Sequence, residues 1–156
     1  MIAVIQRVNS ATLFSDGKFK AEIKKGLYIL LGVAKGDEEA DATSLAEKIS
    51  KLRIFSDEND KMNLSLKDVG GEVMVVSNFT LNANYAHGNR PDYFMSAAPD
   101  EANRLYEFFI SEMSQRIAVC KSGVFGSDMR CELSTDGPVT IVMDSAVLLK
   151  KREVCK

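Results

Sequence analysis

The sequence has no tryptophan, one histidine, three prolines and three cysteines in 156 residues, and each scarcity removes a class of chemistry. The lone histidine, His87, is the only candidate centre for a Ser-His-Asp triad. It sits in a polar, irregular stretch, where an imidazole is most simply solvated. There is no H-E-x-x-H pair, no Walker loop and no G-x-G-x-x-G, so zinc hydrolysis and nucleotide-phosphate binding lack ligands at the needed spacing. Neither a metal nor an organic cofactor is expected. Cys120, Cys131 and Cys155 are odd in number and form no C-x-x-C pair. They read as incidental thiols of a reducing compartment rather than a disulfide framework or a zinc site.

Long apolar runs are missing as well. No stretch approaches the ~20 residues that span a bilayer, and the opening MIAVIQRVNS lacks the basic and apolar segments of a signal peptide. A cytoplasmic protein without a membrane partner is expected. Nor is there an excess of one charge: 20 Lys and Arg against 22 Asp and Glu leave a net −2. Proteins that grip a long duplex carry a basic surface, so any nucleic acid here is met at one end only. The basic pairs and runs at Lys24-Lys25 and Lys150-Lys151-Arg152 read as solvated surface.

What is present suits one domain, since a chain of this length buries roughly 68–70% of its unfolded surface. Alternation predicts a strand over Ile2 to Val8, with Ile2, Val4 and Gln6 on one face. Two more strands, Ala11 to Phe14 and Lys18 to Ile23, flank Ser15-Asp16-Gly17, and Asp-Gly between such runs signals a hairpin. Leu27 to Val33 reads as a strand buried on both faces. Ala42, Leu45, Ala46, Ile49 and Leu52 then fall at helical spacing and predict a helix over 37–55. Ser56 to Gly71 reads as turn; its Asp57, Asn59 and Lys61 resemble a calcium loop only until Met62 takes the place of the required Gly. A second buried strand is expected over 73–81, a long loop over 82–96, and a helix from Pro99 to about Val119. Two last strands, Met129 to Ser134 and Val139 to Met143, would flank Thr135-Asp136-Gly137-Pro138. The order predicts an α+β single domain, mixed and antiparallel sheets covered by two main helices.

Two places depart from simple packing. Ser77-Asn78-Phe79-Thr80-Leu81 ends an apolar strand with three polar side chains, which is either an edge becoming amphipathic or a wall of a site. Gly137-Pro138 is either an ordinary turn or a place where a bare carbonyl approaches a ligand, and X-Pro bonds in tight turns are sometimes cis.

Taken together these stretches resemble the D-aminoacyl-tRNA deacylase family. Ser77 to Leu81 is similar to its S-Q-F-T-L motif apart from Asn78, and Asp136-Gly137-Pro138-Val139-Thr140 to its N-x-G-P-V-T motif apart from Thr135. Further similarity lies in Met1 to Val8, Gly26 to Gly36, Leu52 to Phe55, Lys61 to Ser65 and Gly88-Asn89-Arg90-Pro91, where Asp92 replaces a common Ser. It spans about residues 1–145, with 146–156 as a C-terminal extension. The resemblance implies a homodimer that hydrolyses the ester joining a D-amino acid, or glycine as in glycyl-tRNA(Ala), to the 3′ end of tRNA. It implies a cis Gly137-Pro138 bond inserted from one subunit into the other's pocket, where its carbonyls hold the substrate amino group and exclude L side chains. It places Ser77, Asn78, Phe125 and Met129 at the substrate, with Phe79 and Thr80 at the chemistry. Backbone N–H groups near Phe79 and Thr80 would form the oxyanion hole, and Thr80 as nucleophile is the competing idea, lacking an evident base. The rivals are a non-catalytic RNA- or protein-binding homodimer on the same fold, the sister deacylase acting on L-alanine, and a generic esterase.

Overall fold

The computed structural model describes residues 1–150; Lys151, Arg152 and Cys155, and with them most of the expected extension, lie outside the described residues. The opening alternation makes an extended strand, and it runs further than expected: β1 is one strand over Ile2–Ser15. Neither Asn9 nor Ser10 forces a turn, so the two expected strands are one. Its inward face carries Ala3, Ile5 and, unusually, Arg7, all buried, while Ile2, Val4 and Gln6 are half-buried. Asp16 and Gly17, both with positive φ, turn the chain into β2 (Lys18–Ile23) as the Asp-Gly pair predicts. β3 (Gly26–Gly32) is buried nearly throughout.

The first helix, α1 (Glu39–Ser50), is shorter than its apolar spacing suggests. Asp41 accepts from the Glu38 N–H at 2.9 Å and fixes its start. Beyond Ser50 the chain becomes β4 (Arg53–Ser56), because Ile54 and Phe55 favour a strand and find a partner in β5 (Met62–Ser65). The stretch read as turn therefore holds a strand. β6 (Glu72–Ser77) stops four residues before the expected end. Likewise α2 (Pro99–Ser114) ends before Val119, and the β-branched residues after it lead into β7 (Cys120–Ser122). The two last strands are a single β8 (Met129–Asp144), followed by a short α3 (Ser145–Leu148). The domain boundary drawn after residue 145 thus falls within α3. There the buried Ser145 hydroxyl donates to Asp41 at 2.8 Å and accepts from the Met1 amino group at 2.8 Å.

The main sheet runs β2-β1-β3-β6-β7, with β8 along β1. β1 is antiparallel to its neighbours, whereas β3, β6 and β7 are parallel to one another, so the sheet is mixed. One face, with Ile5, Ile29, Leu31, Val73 and Val75, packs under α1 and α2 against Leu45, Ile49, Leu105 and Phe109. On the other face Val8, Leu13, Ile23, Tyr28, Met74 and Val76 enclose a second core with Met129, Cys131 and Leu133. The α+β class and its two main helices agree with the sequence.

Candidate active site

β6 is buried up to Val76 and changes character where its side chains become polar. One turn of 3₁₀ helix, Phe79–Asn82, replaces the end of the expected strand and the first residue of the expected loop. Asn78 causes the break. Its Oδ1 accepts from the Thr80 backbone N–H at 3.2 Å and from the Thr80 hydroxyl at 2.5 Å, which is what an asparagine does at a helix start. At the other end Asn82, buried, donates from Nδ2 to the Val33 carbonyl at 2.9 Å. Gly32 lets the turn lie against β3, since a Cβ there would sit 3.0 Å from both the Asn78 carbonyl oxygen and the Leu81 Cβ.

Beside the turn opens a cavity of about 570 Å³, within the range of small-ligand sites. Leu31, Val33, Ser77, Asn78 and Phe79 form one wall, Tyr93, Ser96, Ala97, Pro99, Ala102 and Tyr106 a second, and Phe125 to Ser127 with Met129 a third. Five of the residues expected at the substrate or the chemistry (Ser77, Asn78, Phe79, Phe125 and Met129) are thus together. Thr80 does not line the cavity; its hydroxyl and N–H are both turned to Asn78. The Phe79 ring, 59% exposed, meets Tyr93 edge-on with centroids 4.9 Å apart. Ser96 Oγ donates to the Phe79 carbonyl at 3.2 Å and pins the residue from the opposite wall.

The lining is mostly apolar and holds no carboxylate, histidine, lysine or arginine. Its Tyr106 donates its hydroxyl to the Val75 carbonyl at 2.9 Å, and burial pushes that phenol well above the ordinary tyrosine range. It stays neutral at any physiological pH. His87 is exposed on the 82–96 segment and takes no part in the cavity. Among the described residues no three His, Cys, Asp or Glu side chains gather as a metal site. What the cavity can offer is shape, a few hydroxyls and amides, and the N-terminal end of the 3₁₀ turn. Thr80 N–H is taken, so of the turn's leading amides it is Phe79 N–H that has no acceptor within the turn.

Gly137 and Pro138 lie elsewhere. Their peptide bond is cis, both residues are exposed, and neither lines the cavity. On β1, Gln6 pairs with Thr140 and Val8 with Thr135, so residues 136–139 of β8 bulge opposite the single Arg7. Arg7 is 8% exposed and holds this bulge from below. Its Nε stands 2.8 Å from the Asp136 carboxylate, out of line for a hydrogen bond and attracted as an ion pair, while Nη1 donates to the Ile54 carbonyl at 2.6 Å. Gly137 has φ 125°, and a Cβ there would come within 2.7 Å of the Val139 nitrogen. No other residue type fits without moving the bulge.

Sequence reasoning missed Arg7, Tyr93, Ser96 and Tyr106. Arg7 had a signal, a charge on the strand face that also carries Ala3 and Ile5. Tyr106 sits in the apolar stripe of α2 and reads as core, and nothing local marks Tyr93 or Ser96.

A family profile described as "D-Tyr-tRNA(Tyr) deacylase" matches residues 4–144. A D-aminoacyl-tRNA deacylase of Pelobacter propionicus is 50% identical over 92% of this chain and 99% of its own. That of a Sulfurihydrogenibium species is 49% identical over 95% of this chain and the whole of its own. Among solved structures, one described as a c-Myc DNA unwinding element binding protein superposes with a TM-score of 0.87 at 33% identity, over 92% of this chain and 98% of that one. Another, described as a probable eukaryotic D-amino acid tRNA deacylase, shares the fold with a TM-score of 0.79 at 14% identity, over the same shares of the two chains.

Proposed function

The chain belongs to the D-Tyr-tRNA(Tyr) deacylase family, and on that premise we propose how it hydrolyses the ester between a D-amino acid and the 3′ end of tRNA. The observation that carries the proposal is the 3₁₀ turn at the cavity wall, with the Phe79 N–H left over by the Asn78 cap. The aminoacyl group enters the cavity, and its ester carbonyl accepts from Phe79 N–H. As water adds to the carbonyl carbon, charge collects on that oxygen, and a fixed donor in a water-poor site favours it. The C–O3′ bond then breaks, and the ribose oxygen leaves with a proton. The terminal ribose 2′-hydroxyl helps to place the water.

No side chain of the lining supplies a general base, and none is required for an ester this labile. Thr80 is not the nucleophile in this scheme, because its proton faces an amide oxygen, which is no base at neutral pH. In this scheme its N–H, bonded to Asn78, is not a second oxyanion donor, so of the two amides given with the resemblance only that of Phe79 is used.

The Gly137-Pro138 bulge works on a partner's cavity. It is exposed, stiffened by Arg7 and Asp136, and outside its own subunit's cavity, which suits an element inserted into a second copy in a homodimer. There its carbonyls would accept from the substrate α-amino group and leave no room for an L side chain, so selection works by exclusion. Glycine, without a side chain, passes the same filter, in keeping with the glycyl-tRNA(Ala) that the family resemblance implies as a second substrate. The protein acts beside the translation machinery in the cytoplasm, and no helix among the described residues is long and apolar enough to cross a membrane.

Deacylation of D-Tyr-tRNA(Tyr) and L-Tyr-tRNA(Tyr), followed by release of labelled tyrosine, tests the function. Cleavage of the D ester alone is expected. Cleavage of neither would favour a non-catalytic nucleic-acid-binding role; binding to a DNA element is what the name of the 33%-identical structure says of that protein. Cleavage of both would end the proofreading assignment.

A further inference from the structure

The segment between the 3₁₀ turn and α2 has a base and a tip with different chemistry. Asn84 and Asp92 close the base through two backbone hydrogen bonds of 2.8 and 2.9 Å, reinforced by Asn84 Nδ2 donating to the Asp92 carboxylate at 3.0 Å. The other Asp92 oxygen accepts from the Phe94 N–H at 3.2 Å, so this carboxylate is spent on the base. Tyr93, the next residue, is already cavity wall and packs on Phe79. The tip, residues 85–91, therefore projects from the rim of the site.

That tip reads Tyr-Ala-His-Gly-Asn-Arg-Pro and has no carboxylate, in a protein of net charge −2. Tyr85 is 80% exposed, and Phe94, beyond the base, is 77% exposed. Neither ring makes an aromatic contact, in contrast to Tyr93 and Phe79. Two exposed rings and an arginine, on a segment whose closed base adjoins the cavity wall, are the parts with which proteins hold single-stranded nucleic acid: bases stack and a cation meets a phosphate.

We propose that the 84–94 segment holds the unpaired 3′ strand of the tRNA just upstream of the esterified nucleotide, with bases stacked on Tyr85 and Phe94 and a phosphate on Arg90. This rests on the deacylase reading of the cavity. It also reconciles an acidic protein with an RNA substrate, because stacking carries most of the contact and only one or two phosphates are met.

The test compares two esters of D-tyrosine: D-Tyr-tRNA(Tyr), and 3′-O-(D-tyrosyl)adenosine, which has no upstream nucleotides. For Tyr85→Ala, KM for the tRNA should rise about tenfold with kcat unchanged, the loss of one stacked base. Arg90→Ala should flatten the log KM against log salt slope by about 0.7, the share of one single-stranded phosphate, and Arg90→Lys should restore it. Hydrolysis of the adenosine ester should be the same in all variants. Equal effects on both esters, or none on either, would overturn the proposal while leaving the cavity's function intact. A wild-type protein that cleaves neither ester would overturn both. A shift in oligomeric state on Tyr85→Ala would show the rings to be a subunit contact and overturn the RNA role.

Discussion

Phe79 contributes two separable things, a ring against Tyr93 and a backbone N–H at the start of a 3₁₀ turn. Proline is tolerated at the first position of a helical turn, where the N–H has no intrahelical partner. The extended backbone of Asn78 also suits a following proline. Phe79→Pro therefore removes the proposed oxyanion donor and the ring, while Phe79→Ala removes the ring alone. Phe79→Pro should lower kcat by about 10²–10³, the range for losing one oxyanion donor, and Phe79→Ala by far less. Thr80→Ala should turn over at a near-normal rate, because its hydroxyl only completes the Asn78 cap. Stopped assays of D-Tyr-tRNA hydrolysis under saturating substrate check all three. Equal losses for the two Phe79 variants, or a dead Thr80→Ala, would return the chemistry to side chains.

At the level of elements, the sheet has phenols on both faces. Tyr106 reaches from α2 to the Val75 carbonyl, while Tyr28 lies in the opposite core beside Cys131. Burial raises both above the ordinary tyrosine range, and for Tyr28 the Cys131 contact adds to it. The unfolded chain ionises these phenols near pH 10 whereas the folded one does not. Their contribution to stability is complete below that pH and is lost progressively as pH rises from there toward the raised value of the folded state. Urea midpoints should be flat up to about pH 9 and fall above pH 10, and two of the four tyrosines should stay un-ionised in ultraviolet titration until the protein unfolds. Ionisation of all four with the fold intact would contradict this packing.

The long elements are legible in the sequence, whereas the short ones (β4, β5, β7, the 3₁₀ turn and α3) and most element ends are not, for identifiable reasons. Asp16-Gly17 marked its hairpin because positive φ is a local demand. The end of α1 was lost because Leu52 keeps the helical spacing, and only pairing with β5 makes Ile54 and Phe55 a strand. β6 was overextended because the Asn78 cap competes with strand continuation through a single side-chain oxygen. The cavity's third wall, from Phe125 to Met129, came from resemblance rather than periodicity, and Tyr93 and Ser96 reach the site only through tertiary folding.

On the scale of the whole molecule, the cavity and the Gly137-Pro138 bulge sit apart within one chain, and the proposed mechanism brings them together across a homodimer. Gly137→Ala is the natural disruption: with φ 125° and a Cβ driven within 2.7 Å of the Val139 nitrogen, the bulge must shift, at a strain cost of about 1–3 kcal/mol. A Gly137→Ala subunit keeps its own cavity, and a Phe79→Pro subunit keeps its own bulge. The decisive measurement is D-Tyr-tRNA hydrolysis by a heterodimer of these two variants, purified through different tags. If the bulge serves the neighbouring cavity, one of the two sites is intact and activity returns to about half of wild type, although each parent homodimer is impaired. A heterodimer no more active than its parents, or a protein that forms no dimer, would contradict the account.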